Sequence, residues 1–127
     1  MRGSDKKVKI AIVEDDPDIR SLLATLITQK LNLSEPSIFA DGTSLVRAMA
    51  DEHLSFDVII MDYRMPEMNG IEAAKIIMRH RTEIKIILTT GYDVKEEARR
   101  AGLLFLQKPF SIESLAGMLE QERPAVS

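Results

Sequence analysis

Four short stretches of the chain carry side chains suited to phosphoryl chemistry. Glu14, Asp15 and Asp16 stand together in VEDDPDIR, and Asp62 closes the apolar run of FDVIIMDYRMPEMNG. Thr89 and Thr90 end ILTT, and Lys108 precedes Pro109 in QKPF. Three adjacent carboxylates, joined by a fourth from elsewhere, are costly together unless a cation neutralises them. Magnesium does this with oxygen ligands, usually one or two carboxylates completed by water and phosphate. In such company Asp62 reads as a nucleophile, because a carboxylate attacking phosphorus gives an aspartyl phosphate. The metal and Lys108 would offset charge on the transferring oxygens, with Thr89 as a hydroxyl donor. Taken alone, an aspartate shortly before Pro66 and Gly70 is more simply read as a turn residue. The elements around it decide between the two.

Short runs rich in Val, Ile and Leu cover Val8 to Val13, Val58 to Met61, Ile84 to Thr90 and Leu103 to Leu106, and Ser37 to Ala40 is a weaker strand candidate. Near-continuous apolar runs suit strands covered on both faces, hence a parallel sheet. Helical patterns fill the gaps. Ile19, Leu22, Leu23, Leu26, Ile27 and Leu31 follow helical spacing, with Asp16 as cap and Pro17 in the first turn. Leu45, Val46 and Met49 mark a second helix. Ile71, Ala74, Ile77 and Met78 mark a third, capped by Asn69, with Arg79, His80 and Arg81 near its negative end. A short fourth runs from about Val94 to Ala101, and a fifth starts at Ser111 with Ile112, Leu115 and Leu119, Phe110 stapling onto Leu115. Five strand–helix alternations predict an open doubly wound α/β sheet with helices on both faces. Ligands in such sheets sit at the carboxyl ends of the strands. Every candidate residue above follows an apolar run, so the pattern brings all of them to one edge.

The 127 residues suit one domain with its own core, at 45% hydrophobic and 29% charged composition. A net charge of −3 disfavours a large electrostatic footprint for direct nucleic-acid binding. The absence of cysteine removes disulfide and thiolate chemistry and fits a cytoplasmic location. No apolar run reaches the ~20 residues of a membrane span, so no membrane partner is expected. MRGS at the start looks like an expression-vector scar. The expected layout is an N-terminal tail over 1–6, one domain over 7–120, and a C-terminal tail or linker over 121–127. His53 and His80 read as surface residues, and the seven methionines as packing.

The chain resembles the receiver domain of two-component response regulators, in particular the chemotaxis type. VEDDPDIR resembles the family's acidic-pair segment, IMDYRMPEMNG its phosphoacceptor segment, ILTTG its Thr/Ser segment and KPF its lysine segment, all in order. The resemblance implies a flavodoxin-like five-stranded parallel sheet of order 2-1-3-4-5 with five helices. It implies a signalling switch rather than an enzyme: a phosphoryl group is accepted on Asp62 from a sensor histidine kinase or histidine phosphotransfer protein, and slow self-hydrolysis returns the switch. Mg2+ would be the cofactor, with Mn2+ able to substitute. Its ligands would be Asp15, Asp62 and the Arg64 backbone carbonyl, with Glu14 acting through water. Asp16 is then the helix cap. Thr89 and Phe105 match the switch hydroxyl and switch aromatic, and Lys108 the lysine, with a cis bond to Pro109. The output partner, or a phosphorylation-dependent homodimer, would use the face of the fourth helix, fifth strand and fifth helix.

Two departures from the family pattern bear on function. Thr90 stands where the family usually has a smaller residue, and should crowd the phosphoryl approach. Arg64 and Gly91 occupy the positions that place or block the hydrolytic water. Gly91 has no side chain to orient water, and Arg64 has donors only and is expected to lie over the phosphoryl group. A slow autodephosphorylator follows. The region from Thr89 to Lys108 is also trimmed relative to the family, which weakens any analogy of output partner. Two rival functions make different demands on these residues, the first within the same fold. A non-phosphorylated interaction domain would not need Asp15, Asp62, Thr89 and Lys108 together. An aspartate-nucleophile phosphohydrolase would want a second Asp two residues after Asp62, where Arg64 stands.

Overall fold

The computed structural model describes residues 8–121, so the tails expected over 1–6 and 121–127 lie outside the described residues except for Gln121. Five strands, β1 (Ile10–Val13), β2 (Ser37–Phe39), β3 (Val58–Asp62), β4 (Lys85–Thr90) and β5 (Leu104–Gln107), alternate with five helices. These are α1 (Pro17–Thr25), α2 (Gly42–Ala48), α3 (Gly70–Met78), α4 (Lys95–Arg100) and α5 (Ile112–Glu120). The strands form one parallel sheet of order β2-β1-β3-β4-β5.

Strand periodicity divides the core in two. Ala11, Val13, Ile59, Met61, Ile86 and Leu88 point to the face covered by α2, α3 and α4, where Leu45, Ile77 and Ala98 meet them. Ile10, Ile12, Val58, Ile60 and Ile87 point to the other face, against Leu23 and Ile27 and against Leu115 of α5. Ile12, Ile59 and Ile87 are fully buried. Each is worth about 1.5–3 kcal/mol relative to exposure. Burial on both faces explains why these runs show no polar alternation. The edge strand β2 is short and mostly exposed, hence its weak sequence signal.

The caps fall where the side chains dictate. Asp16 Oδ1 accepts from the Asp18 and Ile19 amides, with Pro17 at the first helical position. Asn69 and Glu72 form a reciprocal capping box on α3, and Ser111 caps α5. Asp41, not singled out in the sequence, caps α2 through the Ser44 amide at 2.7 Å, and that bond holds its carboxyl below the usual range. Phe110 and Leu115 pack in one cluster, as a staple requires.

Three expectations need correction. The periodic run after Pro17 does not stay α-helical: Leu26–Lys30 is a π turn, closed by Leu31 N–H on the Leu26 carbonyl. Leu22, placed on the apolar stripe, is 58% exposed. Arg81 does not serve the end of α3. Its guanidinium donates to the carbonyls of Met49, Asp51 and Leu54, tying down the segment that leads from α2 into β3. Lys85 was also hidden in the sequence. Its ammonium donates to the carbonyls of Met118, Leu119 and Gln121, completing the C-terminal end of α5.

Candidate functional site

The carboxyl ends of β1, β3, β4 and β5 deliver one polar cluster. Glu14 follows β1, Asp62 ends β3, Thr89 lies opposite Asp62 in β4, and Lys108 follows β5. Lys108 Nζ donates to Glu14 Oε1 at 3.1 Å and to Asp62 Oδ1 at 3.2 Å. Glu14 is 2% exposed and Asp62 8%, whereas Asp15 is exposed. Carboxylate oxygens of Glu14, Asp15 and Asp62 all lie within 4.8 Å of one another. Asp16 is used elsewhere, as the cap of α1.

Burial pushes the Glu14 and Asp62 carboxyls up, and the contacts with Lys108 only partly oppose it. Burial works against the charge on Lys108, but the Glu14 and Asp62 carboxylates outweigh it and hold its ammonium above the usual value. Two of the three clustered carboxylates thus share one amine. The donors are all hard oxygens, and the one ammonium is outnumbered by three carboxyl groups, so the site fits a divalent cation.

Backbone packing fixes the position of Asp62. Tyr63 N–H donates to the Thr89 carbonyl, and Gly70 N–H to the Tyr63 carbonyl. A β-carbon on Gly70 would sit 2.5 Å from the Asp62 carbonyl oxygen and 2.6 Å from Leu88 Cδ1. Only glycine lets α3 start this close to β3. The loop between them carries Glu67 at φ 73°, its carboxylate accepting from Thr43 Oγ1. The Lys108–Pro109 bond is cis.

The expected switch residues are near but not all in contact. Thr89 is buried, its Oγ1 3.5 Å from the Met61 carbonyl oxygen, at the outer limit of a hydrogen bond. Phe105 is half-buried against the core beneath α4, opposite Leu88. Thr90 uses its Oγ1 to accept the Tyr92 N–H at 3.0 Å, and its carbonyl accepts the Lys108 N–H. Gly91 has open space beside it: an added β-carbon would meet only the Lys108 carbonyl, at 3.9 Å. Arg64 does not join the carboxylates. Its Nη1 donates to the Tyr92 hydroxyl, and its guanidinium lies over the Tyr92 ring, 5.2 Å from the centroid. Tyr92 is the residue that sequence reasoning missed; an aromatic directly after Gly91 was its one signal.

An apolar groove of about 400 Å³ adjoins the cluster. Ile19, Leu22, Leu26, Pro109 and Phe110 line it together with Lys108, which belongs to both.

The family model described as "Response regulator receiver domain" matches residues 10–120. The chain belongs to this family. The receiver is 37% identical over 111 residues to the regulatory protein AtoC of Escherichia coli, covering 84% of this chain and 23% of that protein. It is 35% identical over 115 residues to the transcriptional regulatory protein PdtaR of Mycobacterium tuberculosis, covering 88% of this chain and 55% of that one. It therefore spans about a quarter to half of the length of such relatives. The Vibrio cholerae chemotaxis protein CheY4 superposes with a TM-score of 0.77 at 28% identity, over 90% of this chain and 97% of that chain. The receiver domain of Saccharomyces cerevisiae Ssk1, solved with the histidine phosphotransfer protein Ypd1, gives 0.74 at 23% identity, over 87% and 84%, and shows the fold. Among the described residues, no helix is long and apolar enough to cross a membrane.

Proposed function

We propose that Asp62 is the phosphoacceptor of this receiver and that the chain works as a phosphorylation-dependent switch. The observation that carries this is the buried Asp62 carboxylate held by Lys108 beside two further carboxylates. An Asp62 oxygen attacks the phosphorus of a donor phosphohistidine. The phosphorus–oxygen bond forms as the phosphorus–nitrogen bond breaks, and the electron pair returns to the imidazole. Lys108 holds the carboxylate in place and offsets negative charge beside the transferred group. Asp15, Asp62 and the Arg64 backbone carbonyl would hold Mg2+, or Mn2+ in its place, with Glu14 acting through water. When bound, the ion supplies charge neutralisation at the phosphoryl oxygens. The added charge would draw Thr89 and Lys108 toward it and let Phe105 repack, biasing the face of α4, β5 and α5 toward an output partner or a second copy.

The donor is a histidine kinase or histidine phosphotransfer protein, and the receiver works in the cytoplasm. The apolar groove supports this reading. It shares Lys108 with the acceptor site, so a helix seated on Leu22 and Phe110 can bring an imidazole to Asp62. Leu22→Glu should therefore slow transfer from a phosphorylated phosphotransfer domain and leave labelling by a small phosphodonor unchanged. Equal loss with both donors would place the defect in the acceptor site itself and refute the groove as the docking surface.

A further inference from the structure

We infer that Tyr92 is a positioning residue for the lifetime of the phosphorylated state: it parks the Arg64 guanidinium, which transfers to the phosphoryl group once Asp62 is modified. The inference rests on the reading of Asp62 as phosphoacceptor. Arg64 lies two residues beyond Asp62, next to three clustered carboxylates, yet the structure gives its guanidinium an aromatic partner. The Tyr92 hydroxyl accepts from Nη1 at 2.5 Å while the ring faces the guanidinium carbon at 5.2 Å. A face-on cation and a neutral acceptor are both modest attractions at an exposed site. A phosphoryl group on Asp62 adds nearly two negative charges and three acceptor oxygens, a much stronger partner for a planar fork of donors.

Tyr92 is itself held for this role. Its amide donates to Thr90 Oγ1 at 3.0 Å, so the side chain that was expected to crowd the phosphoryl approach shapes the turn that presents the ring. The Tyr63 ring packs against it at a tilt, with centroids 6.3 Å apart. Tyr92 thus ties the turn after β4 to the loop after β3 through Arg64, and the tie breaks when the guanidinium leaves.

The consequence is kinetic. In hydrolysis a water oxygen bonds to phosphorus as the bond from phosphorus to the Asp62 oxygen breaks. The electron pair stays on the carboxylate, and the water proton goes to solvent. A guanidinium paired with the phosphoryl oxygens has no lone pair to take that proton and covers the approach of the water. Tyr92 competes for the same guanidinium, so it shortens the phosphorylated lifetime.

The test is a double-mutant cycle on the decay of phosphorylated protein in excess Mg2+, after labelling with a small phosphodonor. Tyr92→Phe keeps the ring and removes the acceptor; Arg64→Met keeps the stem and removes the charge. Tyr92→Phe should slow decay about three- to tenfold, the worth of one modest hydrogen bond. Arg64→Met should speed decay, and Tyr92→Phe should then have no further effect. Both side chains are exposed, so melting temperatures should stay put. Equal decay of parent and Tyr92→Phe, or the same slowing in the Arg64→Met background, would overturn the exchange while leaving Asp62 as phosphoacceptor. A failure of every variant to gain a phosphoryl group would overturn both.

Discussion

A β-carbon placed on Gly70 would come within 2.5 Å of the Asp62 carbonyl oxygen. The first residue of α3 and the last of β3 are therefore packed backbone to backbone, and the Asp62 carboxylate is positioned by a contact that one methyl group would break. Gly70→Ala should destabilise the fold by about 1–3 kcal/mol through overpacking. It should also lower the rate of labelling at Asp62. Chemical denaturation and phosphodonor kinetics check the two effects; a variant as stable as the parent would show that the close approach is relaxed at no cost.

A second prediction follows from burial at Asp62. Its carboxyl is raised above an ordinary value of 3.8, chiefly by desolvation. A carboxyl with a raised folded pKa binds its proton more tightly in the native state. Its contribution to stability is full below the unfolded value and is lost as pH rises through the folded one. With chelator present, Asp62→Asn should therefore gain on the parent as pH rises from about 4 to neutrality. Urea unfolding of both proteins across that range would show a widening difference; a constant difference would mean the buried carboxylate carries no such cost.

Metal should act on stability by mass action. A site of a few carboxylates completed by water binds weakly, so Mg2+ in the millimolar range should raise the melting temperature. Asp15→Ala should abolish that rise while leaving the metal-free melting temperature close to the parent, because Asp15 is exposed. An unchanged rise would move the ion away from this cluster.

The clustering of the candidate site was legible because each of its residues follows or ends an apolar run, and parallel strands bring such ends to one edge. That argument brought Glu14, Asp15, Asp62, Thr89 and Lys108 to one edge; their separate roles came from the resemblance. Asp16 could be separated from Asp15 because Pro17 marks the helix start that needs a cap. The rest depended on long side chains choosing among partners far apart in sequence. Arg81 and Lys85 bond carbonyls of other segments, about thirty residues away. Arg64 takes the Tyr92 ring rather than a carboxylate. The π turn over Leu26–Lys30 was hidden because its residues keep helical composition, and one extra residue in the turn alters no residue type.

Lys108 should separate acceptance from response. It touches both Asp62 and Glu14, and its flexible point charge suits it to follow an added phosphoryl group. Lys108→Ala should still take up phosphate, more slowly, yet show a much smaller phosphorylation-dependent change in amide exchange over α4, β5 and α5. A full exchange response in that variant would remove Lys108 from the coupling.

The proposed switch depends on Asp62 carrying the phosphoryl group. Intact mass and peptide mapping after incubation with a small phosphodonor and Mg2+ test it most directly. The parent should gain one phosphoryl group, located on the peptide containing Asp62. Asp62→Asn, which keeps the shape but has no competent nucleophile, should gain none while remaining folded. Equal labelling of the two proteins, or a parent labelled on any other peptide, would contradict the account.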